Sequence, residues 1–402
     1  MFDAKFSEII KSASLHVGHT KIKYNRNDLV ILNFGKDVNV AGVYTKSSIV
    51  SPTIDWCRKI TSKGKARAII INSGNANTMT GNHGVKVIEN VSDALAQALN
   101  CSKDKILINS TGVIGEPLPY DKIISAIPLA LNNDSSINDA AKAIMTTDLV
   151  SKVSHRVCKI ANKDINIIAF AKGSGMCAPN MATMLAYVIT DADIPSVILH
   201  DLLKESVDKS LNCVSVDSDS STNDSALFFA SASILHDKIT DYNSNLLDDF
   251  KVKLNDLMIE IAKKIAADGE GATKLIEIEV KNADNFADAN KIARSIAESP
   301  LVKTAIFGND PNWGRIAMAI GKTGIMIDQE KLIISIGEYQ VFADGLNKMD
   351  INLENKLFDY FKSNNEVNIS VDLNLNKETK SAVFYSCDFS ENYIKINAEY
   401  RS

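Results

Sequence analysis

Apolar and polar positions repeat along this chain with two different periods, and the places where the period changes mark off its strands and helices. Residues 28–45 hold two β-rich runs, ending at Phe34 and beginning again at Val38, with Gly35-Lys36-Asp37 between them in the manner of a turn. A third strand over 66–71 empties into Asn72-Ser73-Gly74-Asn75-Ala76-Asn77-Thr78-Met79-Thr80-Gly81. Such a loop suits the display of backbone amides, although most loops of this kind are plain turns. The period then lengthens: Val85, Val87, Ile88, Val91, Leu95 and Leu99 make a broad apolar face on a helix over 84–99. A strand over 105–109 follows and ends at Ser110-Thr111-Gly112-Val113-Ile114-Gly115.

The middle of the chain reads as a short helix over 137–145 that stops at Thr146-Thr147-Asp148, then a hairpin of 153–160 and 165–170 turning at Asn162-Lys163-Asp164. The hairpin delivers the chain to Lys172. Beyond Thr183 an apolar run continues as strand to about residue 190, and Ile194-Pro195 opens a helix reaching about residue 211. The longest helix, over 246–267, puts Phe250, Leu254, Leu257, Met258, Ile261 and Ile265 on one face. It stops at Asp268-Gly269-Glu270-Gly271-Ala272-Thr273-Lys274. Residues 275–280 alternate as a half-exposed strand. Helices over 288–298 and 353–363, the latter among strands, complete a mixed α/β (α+β) text.

Composition narrows the function. With 45% hydrophobic and 23% charged residues the chain is globular material, and a net charge of −5 leaves no electrostatic footprint for nucleic acid or an anionic membrane. The six cysteines stand singly without a CxxC pair, which fits free thiols in a reducing cytosol better than disulfides or structural zinc. No apolar run is long enough to span a bilayer, and the N-terminus has neither signal-peptide nor transit-peptide character. A cytoplasmic enzyme acting on small metabolites, without a metal, is the expectation.

Candidate chemistry gathers in Lys172-Gly173-Ser174-Gly175-Met176-Cys177-Ala178-Pro179-Asn180-Met181-Ala182-Thr183-Met184-Leu185, a glycine-flexed loop leading to one threonine hydroxyl. A threonine that acts as a nucleophile needs a base, and the most economical base is its own α-amine, which exists only if the Ala182–Thr183 bond is cut. Taken alone, an apolar run such as 181–189 is more often a buried strand than an active site. Gly173-Ser174-Gly175-Met176-Cys177-Ala178 also satisfies a G-x-G-x-x-A dinucleotide fingerprint after a strand, with Asp191 or Asp193 near the ribose-binding distance, although strand rather than helix follows. Ser174 lacks the glycine of a nucleophile elbow, and Gly321-Lys322-Thr323 lacks the first glycine of a phosphate loop. Val216 to Asp224 is rich in carboxylates and hydroxyls, but Thr222 stands where a calcium loop needs glycine, so it reads as a hydrogen-bonded structural loop.

The 172–185 stretch closely resembles the signature of the ornithine acetyltransferase family, and the agreement extends to 72–77, 110–115, 268–274, 309–315 and 395–402. The resemblance implies an αββα sandwich, self-cleavage between Ala182 and Thr183 into pieces 1–182 and 183–402, and association of two copies of each piece. It implies transfer of acetyl from N-acetylornithine to glutamate through an acetyl-Thr183 intermediate, and leaves acetyl-CoA open as a further donor substrate, with no cofactor besides. Thr111 and Gly112 match the family's oxyanion hole. Thr146, Lys172, Thr183, Glu270, Asn397 and Ser402 match its substrate-binding positions. A lysine beside neutral donors suits a carboxylate and Glu270 suits an ammonium group, the two charges of an amino acid. A self-cleaving amidohydrolase or aminopeptidase on a related scaffold and a dinucleotide-binding oxidoreductase stand as alternatives.

Overall fold

Ala68-Ile69-Ile70-Ile71 is apolar at every position, and a strand of that kind needs cover on both faces. The structure, a computed structural model describing residues 2–18, 26–178, 184–375 and 380–398, supplies that cover with helices. The chain forms two compact units, one of Met1–Gly173, Pro179–Asn212 and Asp219–Ile261, the other of Ser174–Ala178, Cys213–Ser218 and Ala262–Ser402.

Among the described residues the strands in chain order are β1 (Lys11–Leu15), β2 (Leu29–Tyr44), β3 (Lys65–Asn75), β4 (Ile106–Val113), β5 (Lys152–Ile160), β6 (Lys163–Lys172), β7 (Leu185–Thr190), β8 (Val214–Ser215) and β9 (Ser225–Ala230). They continue with β10 (Leu275–Lys281), β11 (Ile333–Ile336), β12 (Tyr339–Ala343), β13 (Leu346–Asn347), β14 (Glu366–Asp372) and β15 (Ala382–Cys387). The first unit holds an eight-stranded sheet in the order β4-β3-β2-β9-β7-β6-β5, with β1 added beside β2. The second holds a seven-stranded sheet in the order β13-β12-β11-β14-β10-β15-β8. The α/β class expected from the two periods is the class observed.

In the first sheet, alternate side chains of one strand enter different cores. Ile69 and Ile71 pack with Val30, Leu32, Phe170 and Tyr187, and with Ala140 and Ile144 at the Ile137–Ala143 helix. Ala68 and Ile70 pack with Leu29, Ile31 and the helix residues Val87, Val91, Leu95 and Ile127. The second unit builds its own core, in which Ile276, Ile278 and Val280 of β10 meet Ile292 and Ile296 of the Phe286–Ala297 helix.

The turn expected at Gly35-Lys36-Asp37 is not a reversal. β2 continues through it, and the pairing with β3 shifts register between Asn33 and Val38. This bulge, with Gly35 at a φ of +70°, lets one long strand change partners. Leu29 to Asn33 lie between β1 and β3, whereas Asn39 to Tyr44 pair with β9. β9 and β7 then run parallel at the middle of the sheet, with β2 on one flank and β6 on the other. The hairpin of β5 and β6 closes one position earlier than expected, at Ala161-Asn162, since Ile160 already pairs with Lys163.

Candidate active site

β3 and β4 run parallel, with Ser73 opposite Thr111 and Gly74 opposite Gly112. Both strands outlast their expected ends, because buried polar side chains stitch them together beyond the last apolar residue. Asn72 Nδ2 donates to the Asn75 carbonyl at 2.9 Å, Ser110 Oγ donates to Asn72 Oδ1 at 2.6 Å, and Asn75 Nδ2 donates to the Glu116 carbonyl at 2.9 Å. Thr111 and Gly112 therefore stand on a strand end rather than in the following turn. Gly112 has a φ of +133°, and a β-carbon there would overlap the carbonyl carbon of Gly74 and the backbone nitrogen of Asn75. Only glycine allows this crossing of two backbones. Thr111 is buried, and its hydroxyl has no hydrogen-bond partner among the described residues.

A second group in the same unit forms around Asp148, whose role nothing in the linear sequence signals. Its carboxylate accepts hydrogen bonds from Lys152 Nζ at 2.7 Å, the Gly173 amide at 2.8 Å and the Thr146 amide at 3.0 Å. Both charged side chains of the Asp148–Lys152 pair are wholly buried. Burial pushes the Asp148 carboxyl upward, but the Lys152 and Lys172 ammoniums and the hydrogen bonds from Lys152 and Gly173 outweigh it, so its pKa lies below the ordinary value. Lys172 ends β6, and its Nζ donates to Thr146 Oγ1 at 3.3 Å. The expected substrate residues Thr146 and Lys172 are thus brought together, with the carboxylate of Asp148 gripping the backbone beside each. The β3 end is tied to the same region, since Ser73 Oγ donates to the Ala143 carbonyl at 2.5 Å.

Asp224, in the loop expected to be structural, is another buried acid. Burial raises its pKa well above the carboxylate range, against the opposing pull of Lys172 and of backbone hydrogen bonds. Its Oδ2 is buried without a hydrogen-bond partner among the described residues. A uniformly polar text such as 217–224 gives no sign of which acid is enclosed.

In the second unit, Glu270 is 7% exposed and accepts a hydrogen bond from Asn397 Nδ2 at 2.8 Å. Asn397 stands on the helix Glu391–Ala398, and Glu270 on the loop that follows the helix Asp248–Ala267. Asp388 holds that loop by accepting from the amides of Thr273 at 2.7 Å and Lys274 at 3.0 Å. The Glu270 carboxylate occupies the space in which a side chain on Gly175 would lie. Gly175 is therefore bare to admit a carboxylate, which would repel a phosphate. Among the described residues no helix opens after it, and the next element is β7. The dinucleotide fingerprint is an accident of spacing. Asp217 accepts from the amides of Met176 at 2.6 Å and Cys177 at 2.7 Å, fixing the loop on its C-terminal side.

Of the expected site residues, Thr111, Gly112, Thr146 and Lys172 belong to the first unit and Glu270 and Asn397 to the second. Ala182, Thr183 and Ser402 lie outside the described residues.

The chain matches the model of the ArgJ family over residues 14–402. It is 43% identical over 386 residues to the arginine biosynthesis bifunctional protein ArgJ of Gluconobacter oxydans, covering 95% of this chain and 90% of that one. The Agrobacterium fabrum protein of the same name is 42% identical over 387 residues, with 95% and 93% covered. A crystal structure of the Bacillus halodurans ArgJ protein superimposes with a TM-score of 0.51 at 38% identity, over 54% of this chain and 99% of that chain. The chain belongs to the ArgJ family, whose curated relatives are named as bifunctional proteins of arginine biosynthesis.

Proposed function

We propose that this enzyme moves the acetyl group of N2-acetyl-L-ornithine to L-glutamate through an acetyl ester on Thr183. The observation that carries the reading is the Thr111–Gly112 strand end, an uncommitted hydroxyl beside a glycine-only crossing, in a chain matched to the ArgJ family over residues 14–402. Preorganised donors of this kind stabilise the oxyanion of an acyl-transfer intermediate without reorganising during the reaction.

The nucleophile arises by self-cleavage. The Thr183 hydroxyl adds to the Ala182 carbonyl, the peptide C–N bond breaks to leave an ester and free the Thr183 amine, and water opens the ester to a carboxylate on Ala182 and the restored Thr183 hydroxyl. That amine then takes the hydroxyl proton as Thr183 attacks the acetyl carbonyl of N-acetylornithine. Thr111 and Gly112 hold the oxyanion, the amide C–N bond breaks, and ornithine leaves with the proton on its amine. Glutamate attacks the threonyl ester through its neutral amine, restoring the Thr183 hydroxyl and releasing N-acetylglutamate. Lys172 with Thr146 suits the substrate carboxylate. Glu270 with Asn397 suits its ammonium group, and Ser402 completes the set.

The sheet order supports continued association of the two pieces. β7 and β9 follow residue 183, whereas their flanking partners β6 and β2 precede it, so pieces 1–182 and 183–402 share one hydrogen-bonded sheet. A solved ArgJ chain of about half this length, covered almost end to end, is in keeping with two separate pieces. We extend the reading to acetyl-CoA as a second donor to the same threonine, to a complex of two copies of each piece, and to the cytoplasm. Among the described residues no helix is long and apolar enough to cross a membrane.

Thr111→Ala tests the assignment. Acetylation should slow by roughly 10²–10³-fold, the usual effect of losing an oxyanion donor, while substrate affinity changes little. An unchanged rate removes Thr111 from the site.

A further inference from the structure

The polar loop that leads into β9 carries a side chain whose every hydrogen-bonding position is engaged. Asn223 is 5% exposed. Its Nδ2 donates to the Ala76 carbonyl at 2.6 Å and to the Ser110 carbonyl at 2.9 Å. Its Oδ1 accepts from Thr78 Oγ1 at 2.8 Å and from Thr222 Oγ1 at 2.5 Å. Two donors and two acceptors exhaust the capacity of an amide side chain. The orientation is not interchangeable, because the two carbonyls facing Nδ2 can only accept.

We infer that Asn223 is a positioning residue for the oxyanion hole, holding the ends of β3 and β4 in the register that Thr111 and Gly112 require. The Ser110 carbonyl and the Thr111 amide belong to one planar peptide unit, so gripping the oxygen fixes the plane from which Thr111 and then Gly112 extend. The Ala76 carbonyl anchors the other side of the crossing, one residue beyond the Gly74–Asn75 backbone against which Gly112 packs. One amide therefore clamps both strands. The clamp also joins the proposed pieces, since Asn223 follows residue 183 while Ala76, Thr78 and Ser110 precede it. The cost of its loss falls on the transition state, because a displaced donor stabilises the oxyanion less while leaving the groups that bind the substrate's charges in place.

This inference rests on the proposed oxyanion role, and a double-mutant cycle separates the two. Single-turnover acetylation by N-acetylornithine is measured per acetylatable Thr183 for the wild type, Asn223→Ala, Thr111→Ala and the double variant, with substrate affinity and unfolding midpoint alongside. Asn223→Ala should slow acetylation by up to about 10²-fold, the scale of a misplacement near 1 Å, with affinity within a few-fold of wild type. The double variant should be little slower than Thr111→Ala alone, because both substitutions disable the same hole. Asn223→Asp keeps the shape and acceptors but removes the amide donors, and should also slow the step.

Wild-type rates in both Asn223 variants would overturn the inference. So would losses that multiply independently in the double variant, a change confined to affinity or stability, or failure of both variants to yield folded enzyme, which would make Asn223 a part of the fold alone. If Thr111→Ala is itself without effect, it is the oxyanion reading that fails.

Discussion

Asp148→Asn should be among the most destabilising single substitutions in the first unit that leave side-chain volume unchanged. In the wild type the Asp148 carboxylate lies 2.7 Å from Lys152 Nζ with both side chains wholly buried. The substitution removes the carboxylate charge that lies against a buried ammonium, and breaking a buried pair in this way costs about 3–5 kcal/mol. Asp148→Asn/Lys152→Met removes both charges and should recover most of that loss, since replacing a whole buried pair is often near neutral. The pH dependence has a definite sign. The folded-state pKa of Asp148 is depressed, so its contribution is fully present above the unfolded value of about 3.9 and is lost as pH falls through the lower folded value. The gap between wild type and Asp148→Asn should therefore hold from neutral pH down to about 4 and narrow below it. Urea unfolding followed by circular dichroism measures this, in a Thr183→Ala background where the chain is expected to stay in one piece. A single variant within about 0.5 kcal/mol of wild type, the range of ordinary surface changes, would refute the reasoning. So would a double variant no better than the single one.

Two further outcomes follow from the site. Gly175→Ala places a methyl where the Glu270 carboxylate lies, so the apparent affinity for N-acetylornithine should fall by about 10- to 100-fold, the value of one charged hydrogen bond of roughly 1.5–3 kcal/mol. Steady-state kinetics with unchanged affinity would separate Glu270 from the ammonium group. The acetylation rate of the cleaved enzyme should rise with pH through the titration of the Thr183 amine, which ordinarily lies near roughly 7.7–8.0, because only the neutral amine can take the hydroxyl proton. A rate flat across that range in stopped-flow measurements would assign the base elsewhere.

Apolar periodicity made the elements with one dominant face legible. The helix Asp248–Ala267, the β5–β6 hairpin and the alternating β10 all follow from side chains that must be buried on one side or both. Where polar groups decide, the text was silent. The ends of β3 and β4 run past their apolar residues because Asn72, Asn75 and Ser110 replace packing with hydrogen bonds. Gly35-Lys36-Asp37 has turn chemistry that serves equally for a bulge, and only the sheet partners on either side tell the two apart. Short strands such as β11 to β13 and the helix Glu391–Ala398 carry too few apolar positions to declare a period. At the site, Thr111, Gly112, Thr146 and Lys172 were named through resemblance, but the reason for their arrangement lies in Asp148, Lys152 and Asn223. A lysine or an aspartate in a linear text does not announce that it is buried, since burial comes from residues distant in the chain.

In the proposed mechanism Thr183 becomes an N-terminal nucleophile and carries the acetyl group. Mass analysis of the denatured protein after brief exposure to N-acetylornithine without glutamate tests it most directly. Two polypeptides, 1–182 and 183–402, should appear, with one acetyl group on the second, mapped to Thr183 and discharged when glutamate is added. An intact chain that transfers acetyl at full rate, or an acetyl group mapped to any other residue and discharged by glutamate, would contradict it.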